Sequence, residues 1–172
     1  MNKKFLVIGC CGAGKSTLAK KMQERTGLPL IHLDHEYYRP GWVKPKKAEW
    51  EEKVRQLCLK EAWIMDGNYT GSLEMRLRFA DAVVFLDIGR VKCLLRAIGR
   101  VLRPSQRRRE DMAEGCEERH DLEFYRFIWS FPNKVRPGIL KVLEEQREKD
   151  VFILRSEKEI ERFLMELEKM KL

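Results

Sequence analysis

The sequence predicts an α/β fold: a five-stranded parallel sheet with helices on both faces. Five short apolar runs rich in β-branched residues recur along the 172 residues, and each has the length of a buried strand. Helical segments separate successive runs, and this alternation is typical of parallel sheets. A glycine-rich turn or a carboxylate follows four of the runs directly, as expected at the carboxyl edge of such a sheet. The length fits a single domain, 1–172.

The first strand and the turn after it carry the most specific motif. Lys4 to Ile8 is a short apolar strand, and Gly9 to Ser16 reads G-x-x-x-x-G-K-S before a helix-forming segment. This strand–loop–helix context is the one that a phosphate-binding loop requires, and a chance glycine-rich turn is the alternative. In that motif Lys15 reaches the β- and γ-phosphates and the Ser16 hydroxyl binds Mg²⁺. The residues assigned to the nucleotide are Gly9, Gly12, Ala13, Gly14, Lys15, Ser16 and Thr17.

The other strands follow from the same pattern of apolar runs between breakers. They are predicted at Pro29–Asp34, Trp63–Asp66, Ala82–Asp87 and Val151–Leu154. Because right-handed crossovers bring all carboxyl ends to one edge, we expect Asp34, Asp66 and Asp87 to face the crevice of the phosphate loop. Asp34 and Asp66 directly follow apolar strands, as metal-adjacent acids do in phosphoryl-transfer sites.

The intervening segments have helical periodicity and identifiable stops. Gly27 and Pro29 end the first helix. Helices are predicted at Ala48–Ala62, Ser72–Phe79, Arg90–Leu102, Asp121–Trp129, from Pro137 to Glu148, and Glu157–Met170, with Pro132 and Pro137 as boundaries. The charged stretch Ser105–Arg119 lacks an apolar face and is predicted to be an exposed, mobile segment.

Composition excludes some classes of protein and favours one compartment. No apolar run approaches the length needed to cross a bilayer, and the first apolar run is too short for a signal peptide. The five cysteines form no C-x-x-C pair, which fits a reducing cytosol. We therefore expect a cytoplasmic protein with no membrane partner, and the sequence leaves the oligomeric state undetermined.

The net charge of +8 is concentrated in one block. Eight basic residues and no acid lie between Asp87 and Glu110, so this block alone equals the whole excess. Such a local concentration favours a polyanionic ligand at that place.

These segments together resemble the DNA topology modulation proteins, a family of adenylate-kinase-like P-loop proteins. The resemblance covers nearly the whole chain. It rests on Gly9–Ser16, His32–Asp34, Pro40–Trp42, Trp63–Tyr69 and Asp111–Cys116. It implies the nucleoside monophosphate kinase fold, with a small helical insert for the acceptor at residues 35–62 and a lid at residues 104–119. It also implies that Asp66 holds Mg²⁺ through water. Asn68-Tyr69 replaces the Phe-Pro-Arg of adenylate kinases, which removes an arginine that holds the acceptor phosphate.

The sequence allows two interpretations for several of the candidate residues. Asp66 is a magnesium ligand or a turn carboxylate, and Asp34 orients or deprotonates the acceptor hydroxyl or caps the next segment. His32, on a buried strand, is interpreted as a packed, hydrogen-bonded residue, and neither it nor His35 is assigned to the site. Four aromatic residues could stack on a base or sugar or simply pack: Tyr37, Tyr38, Trp42 and Tyr69.

Arginines supply the remaining candidates. In the lid hypothesis Arg100, Arg108 and Arg109 neutralise charge on the transferring phosphoryl group, and a solvated basic face is the alternative. Arg155, just after the fifth strand, lies where these kinases place the donor base. Arg76 and Arg78 are candidates for the acceptor phosphate.

The sequence therefore predicts an ATP- and Mg²⁺-dependent phosphotransferase acting on a nucleotide or another small-molecule acceptor. Its catalytic residues would be Lys15, Asp34, Arg100, Arg108 and Arg109, with Ser16 and Asp66 at the metal. One alternative is a kinase of nucleic-acid 5′ ends, reached through the basic block; it is less favoured because those basic residues alternate with apolar ones. Another is a regulatory module that binds nucleotide and hydrolyses it slowly or not at all.

Overall fold

A five-stranded, entirely parallel sheet forms the centre of the molecule, as the sequence predicts. The computed structural model describes residues 3–102 and 122–169. The strands are β1 (Lys4–Gly9), β2 (Leu30–His32), β3 (Trp63–Asp66), β4 (Ala82–Leu86) and β5 (Asp150–Leu154). Their spatial order is β2-β3-β1-β4-β5, and every adjacent pair is parallel. The strand that leads into the phosphate loop is therefore central, with β3 on one side and β4 on the other.

Eight helices lie within the described residues. They are α1 (Lys15–Thr26), α2 (Leu33–Tyr37), α3 (Lys47–Leu59), α4 (Leu73–Phe79), α5 (Arg90–Leu102), α6 (Leu122–Lys134), α7 (Arg136–Glu144) and α8 (Glu157–Lys169). A single 3-10 turn, Thr70–Ser72, precedes α4. Helix α1 packs beside α8, α3 beside α4, and α6 beside both α5 and α7.

The core lies on both faces of the three central strands. Consecutive residues of β3 and β4 are all buried, and in β1 only Lys4 is partly exposed. Since successive side chains of a strand point to opposite faces, uninterrupted burial means that helices cover the sheet on both sides. The site at the carboxyl edge is thus built on a rigid, fully covered scaffold.

The second strand is shorter than predicted, and this changes the setting of Asp34. Strand β2 ends at His32, and Asp34 lies in the first turn of α2 rather than at the end of a strand. Leu33 is fully buried and packs against the turn after β3, where a Cβ on Gly67 would lie 2.8 Å from the Leu33 Cβ. Burial of Leu33 against this glycine turns the chain into a helix two residues earlier than its apolar pattern indicates.

Proline 132 does not divide two helices, contrary to the prediction. Helix α6 continues through Pro132 to Lys134, and α7 begins at Arg136 with Pro137 in its first turn. Proline lacks only one helix hydrogen bond, and the buried Ile128 and Phe131 hold this last turn against the core. The predicted lid, residues 104–119, lies outside the described residues.

Candidate active site at the carboxyl edge of the sheet

The phosphate loop connects β1 to α1 in a compact turn. The Ala13 amide donates to the Cys10 carbonyl at 3.1 Å, and the Lys15 ammonium donates to the same carbonyl at 3.1 Å. Lys15 is thus held back over the loop instead of extending into solvent. Backbone N–H groups of such a turn, together with the first turn of α1, form a cradle for an anion.

A glycine at position 12 is required by the approach of α5. Gly12 has φ +79°, and a Cβ placed on it would lie 2.3 Å from the Cys93 carbonyl oxygen. No side chain fits that gap, so the glycine permits direct backbone packing of the loop on α5. Ser16 and Thr17 follow in the first turn of α1, where the motif places them.

Arg96 on α5 also contacts the loop, although the sequence analysis did not single it out. Its guanidinium donates to the Ala13 carbonyl at 3.2 Å and to Glu157 of α8 at 2.7 Å. It belongs to the basic block, and only its spacing from Cys93 on the same helix could have indicated its role. Arg96 therefore links the loop to two helices.

Arg100 lies one turn further along α5 than Arg96. Its charge, with those of Lys15 and Arg96, contributes to lowering the pKa of the Cys93 thiol, for which a hydrogen bond with Cys10 is the main cause. Arg100 is four residues from Arg96 and seven from Cys93, so the three residues lie on one face of α5. Arg108 and Arg109 lie outside the described residues, and their roles stay predictions.

Asp66 lies beside the strand that leads into the loop. It is paired in register with Val7 of β1 and is 4% exposed. Its Oδ2 lies 3.0 Å from His32 Nδ1, whereas Oδ1 is buried with no hydrogen-bond partner within the described part of the chain. The side-chain oxygen of Asn68 is also buried without such a partner. Carboxylate and amide oxygens are the ligands that Mg²⁺ prefers, so these residues fit a magnesium site.

His32 is packed and hydrogen-bonded, as the sequence interpretation expected. Its side chain is 13% exposed, and its partner is Asp66, the buried carboxylate predicted to serve the metal. The sequence did not indicate this partner, because the register of two parallel strands is not determined until the strands are paired.

Asp34 meets the turn after β3 through Tyr69. The Tyr69 hydroxyl donates to Asp34 Oδ1 at 2.7 Å. Burial, and next the nearby Asp34 carboxylate, raises the pKa of Tyr69 well above its usual value. Tyr69 therefore remains a protonated donor at neutral pH, and it holds the carboxylate of Asp34 in place.

Five aromatic rings surround this contact. Tyr37 lies 5.0 Å from Tyr69 and 4.8 Å from Trp50, measured between ring centroids. Tyr38 lies 4.9 Å from Tyr37 and 5.0 Å from Trp42. The rings pack on one another beside Asp34, which is the packing arrangement that the sequence left open. A role in stacking on an acceptor stays a prediction.

Arg76 is not available to an acceptor phosphate, contrary to the hypothesis from sequence. It is fully buried, and its guanidinium donates to the carbonyls of Gly67, Asn68 and Tyr69 at 2.8–2.9 Å. Burial lowers the pKa of Arg76 to about 10, so the group is still charged at neutral pH. Arg76 fixes the backbone of the turn that follows Asp66. Arg78, two residues on, is exposed.

Asp87, the third predicted crevice carboxylate, is held by arginines. Arg136 of α7 binds it through two hydrogen bonds of 2.7 and 2.8 Å, and Arg155 Nε lies 3.4 Å from Oδ2. The hydrogen bonds from Arg136 are the main cause that lowers the pKa of Asp87. Asp87 thus ties β4 to α7. Arg155 lies beside this pair, and a role at the donor base stays a prediction.

The described residues contain neither a dense cluster of metal ligands nor a membrane-spanning helix. They contain no group of three or more histidine, cysteine or acidic side chains arranged around a common metal position. Magnesium usually retains several waters and uses one or two carboxylates, so it does not need such a group. Within the same residues, no helix is both long and apolar enough to cross a membrane.

Solved structures with the same fold are shikimate kinases. The chain superposes on the shikimate kinase from Bacteroides thetaiotaomicron with a TM-score of 0.56 and 20% identity, covering 99% of this chain and 98% of that one. The shikimate kinase from Acinetobacter baumannii, solved in complex with shikimate, gives a TM-score of 0.59 and 18% identity over 97% of this chain and 91% of that one. At these identities the likeness establishes the fold alone, a five-stranded parallel sheet covered by helices.

Sequence comparisons are less informative. No family model matches the chain, and no curated protein matches it. The name of the DNA topology modulation proteins is therefore unsupported by these comparisons, whereas the five-stranded parallel sheet that the resemblance implied is found.

Proposed function

We propose that this protein is an ATP- and Mg²⁺-dependent kinase that transfers the γ-phosphoryl group to a hydroxyl of a small molecule. One observation carries the proposal: a phosphate loop over which Lys15 folds back lies beside a buried carboxylate, Asp66, one oxygen of which has no hydrogen-bond partner among the described residues. The fold shared with shikimate kinases supports it, since those proteins are kinases by name.

One set of residues is proposed to bind the triphosphate and its magnesium ion. Lys15 and the loop amides bind the triphosphate, and Ser16 and Asp66 would hold the magnesium ion. When bound, magnesium supplies positive charge that orients the phosphate oxygens and favours departure of the diphosphate. Most of the rate enhancement in such a site comes from positioning and from neutralising charge.

The acceptor is addressed by Asp34. The acceptor oxygen forms a bond to the γ-phosphorus while the bond to the β,γ-bridging oxygen breaks, giving ADP and a phosphorylated product. The hydroxyl proton passes to the Asp34 carboxylate, which Tyr69 holds through the hydrogen bond from its hydroxyl. The lid arginines, Arg100 with Arg108 and Arg109, complete the hypothesis by neutralising the transferring group, and Arg155 is proposed to contact the donor base.

Membership of the DNA topology modulation family remains part of this proposal, on the motifs quoted above. The partners of the chain are then a nucleoside triphosphate and an acceptor whose identity the screen below addresses. In the described part of the basic block, three basic side chains contact other residues of the protein itself, and this favours a small-molecule acceptor over a nucleic acid. Arg90 lies over the Trp129 ring at 4.2 Å, and Lys92 and Arg96 both bind Glu157.

An acceptor screen tests the proposal. ADP release from Mg·ATP is measured with cyclic and linear polyols, nucleosides, nucleoside monophosphates and an oligonucleotide with a 5′-hydroxyl. We expect stimulation by a hydroxyl-bearing small molecule, and loss of at least about 100-fold of that rate in Lys15→Ala. Lys21→Ala, an exposed lysine of the same helix, is the matched control and should retain the rate.

Three results would contradict the proposal. Full activity of Lys15→Ala would reject the role of the loop. Stimulation by the oligonucleotide alone, with steep loss at higher salt, would favour the nucleic-acid kinase. ATP consumption that no acceptor changes would favour the regulatory module.

A further inference from the structure

The two oxygens of the Asp66 carboxylate lie in different environments. Oδ2 is 3.0 Å from His32 Nδ1, and Oδ1 is buried without a hydrogen-bond partner within residues 3–102 and 122–169. Leaving a buried carboxylate oxygen without a donor costs free energy, so such an atom calls for an explanation. A bound cation, or water held by one, would satisfy it.

The position of His32 follows from the sheet. His32 ends β2 and is paired in register with Asp66 of β3, so the two side chains leave the sheet on the same face. The side chains are 13% and 5% exposed respectively, which keeps their contact out of bulk water. A carboxylate that serves a metal can only accept, so in that role of Asp66 it is His32 Nδ1 that would donate to Oδ2. The hydrogen bond thereby restricts rotation of the carboxylate.

The other neighbour of Asp66 is the strand that enters the phosphate loop. Asp66 is in register with Val7, and the Gly67 amide donates to the Val7 carbonyl at 3.1 Å. The carboxylate therefore lies between the histidine on one strand and the loop-bearing strand on the other. Its backbone is fixed from behind by Arg76, which binds the carbonyls of the following turn.

We infer that His32 is a positioning residue for magnesium: by occupying Oδ2 it holds Asp66 with Oδ1 as the oxygen that serves the metal. This inference rests on the proposed function, because it assigns Asp66 to a magnesium ion bound with the triphosphate. His32 itself does not bind the metal. Partners of this kind outside the ligand shell commonly change metal affinity by about 10- to 100-fold when they are removed.

A test separates this role from a structural one by comparing binding with and without the metal. Calorimetry gives the Kd of the non-hydrolysable analogue AMP-PNP in excess Mg²⁺ and in EDTA, and the ratio of the two is the contribution of magnesium. We expect His32→Leu to reduce this contribution about tenfold while the Kd in EDTA stays unchanged. A general disturbance of the loop would instead weaken both values equally.

Matched variants sharpen the comparison. His32→Asn places an amide donor near the position of Nδ1 and should retain much of the magnesium contribution, whereas His32→Gln places it near Nε2 and should not. His35→Leu changes an exposed histidine three residues away and should behave as the unaltered chain. Should His32→Leu not fold, the contrast between the Asn and Gln variants makes the same test.

An unchanged magnesium contribution in His32→Leu, or equal weakening in Mg²⁺ and EDTA, would overturn the inference and leave the proposed function intact. Equal behaviour of the Asn and Gln variants would also count against it. Absence of AMP-PNP binding to the unaltered chain in both conditions would refute the proposed function, and this inference with it.

Discussion

At the scale of single residues, the turn after β3 is organised by one buried charge. Arg76 is fully buried and donates to the backbone carbonyls of residues 67–69 and to the Ser72 hydroxyl. Tyr69 has φ +21°, a conformation that few residues other than glycine adopt. The guanidinium stabilises this backbone, and Tyr69 in turn holds Asp34. The position of Asp34, the carboxylate proposed to address the acceptor, thus depends on the fully buried Arg76 through Tyr69.

Replacing Arg76 by methionine should be strongly destabilising. Arg76→Met removes the hydrogen bonds that a fully buried guanidinium donates to the carbonyls of residues 67–69, and we expect the free energy of unfolding to fall by about 3 kcal/mol. Urea denaturation followed by circular dichroism measures the change. Arg78→Met, an exposed arginine of the same helix, is the control and should change stability by less than about 0.5 kcal/mol. Equal stability of the two variants would contradict the role given to Arg76.

Whether a residue's role could be predicted depends on whether the evidence for that role lies within one short segment of the sequence. The assignments of Lys15 and Ser16 to the phosphate loop came from one motif of eight residues, because the spacing itself carries the chemistry. The contacts of His32, Arg76 and Arg96 join segments far apart in the chain or depend on which side chains a turn buries. The sequence placed Arg76 at the acceptor phosphate in place of the arginine that Asn68-Tyr69 removes, and the burial of Arg76 reverses that expectation.

At the scale of elements, an ion pair joins the fourth strand to a helix near the carboxyl end of the chain. Asp87 follows β4, its side chain is 10% exposed, and Arg136 at the start of α7 binds it through both oxygens. Bidentate pairs of this geometry are stronger than ordinary surface ion pairs. The contact connects β4 to a helix 49 residues later in the chain.

This pair predicts a pH dependence of stability. The pKa of Asp87 is lowered in the folded state, so its contribution is present above the unfolded pKa near 3.8 and is lost as pH falls through the lower folded value. Asp87→Asn should therefore cost about 1.5 kcal/mol at pH 7, and the difference from the unaltered chain should shrink as pH falls below about 4. Thermal or urea unfolding between pH 7 and pH 2.5 measures it.

An exposed acid on another helix provides the control for this prediction. Glu24→Gln removes an exposed carboxylate on α1 and should leave stability unchanged at every pH. A difference between Asp87→Asn and the unaltered chain that stays constant down to pH 2.5 would contradict the ionic origin of the contact.

The ends of elements were harder to predict than their existence. The five strands follow from apolar runs, and their parallel arrangement from the helices between them. The early end of β2 depends on Leu33 packing against Gly67, and the passage of α6 through Pro132 depends on burial of Ile128 and Phe131. Both are tertiary contacts that override a local preference, so periodicity and breaker residues could not reveal them.

At the scale of the whole molecule, the sheet brings the site together. The strand order places β1 between β3 and β4, so the phosphate loop has Asp66 on one side and Asp87 on the other. The sequence predicted that these carboxylates would share one edge, because parallel strands end on the same side. It could not predict their different roles, since only the contacts show that arginines bind Asp87 while one oxygen of Asp66 has no partner in the part of the chain that the structure describes.

The central claim is that the loop from Gly9 to Ser16 binds a triphosphate. The most direct measurement is a calorimetric titration of the full chain with AMP-PNP in excess Mg²⁺, repeated with adenosine and with Lys15→Ala. The account predicts saturable binding of one AMP-PNP per chain, no comparable binding of adenosine, and binding weakened at least tenfold in Lys15→Ala, since a charge-assisted contact to phosphate contributes about 1.5–3 kcal/mol. Heat no greater than dilution from a folded chain, or equal binding by the Lys15→Ala variant, would contradict it.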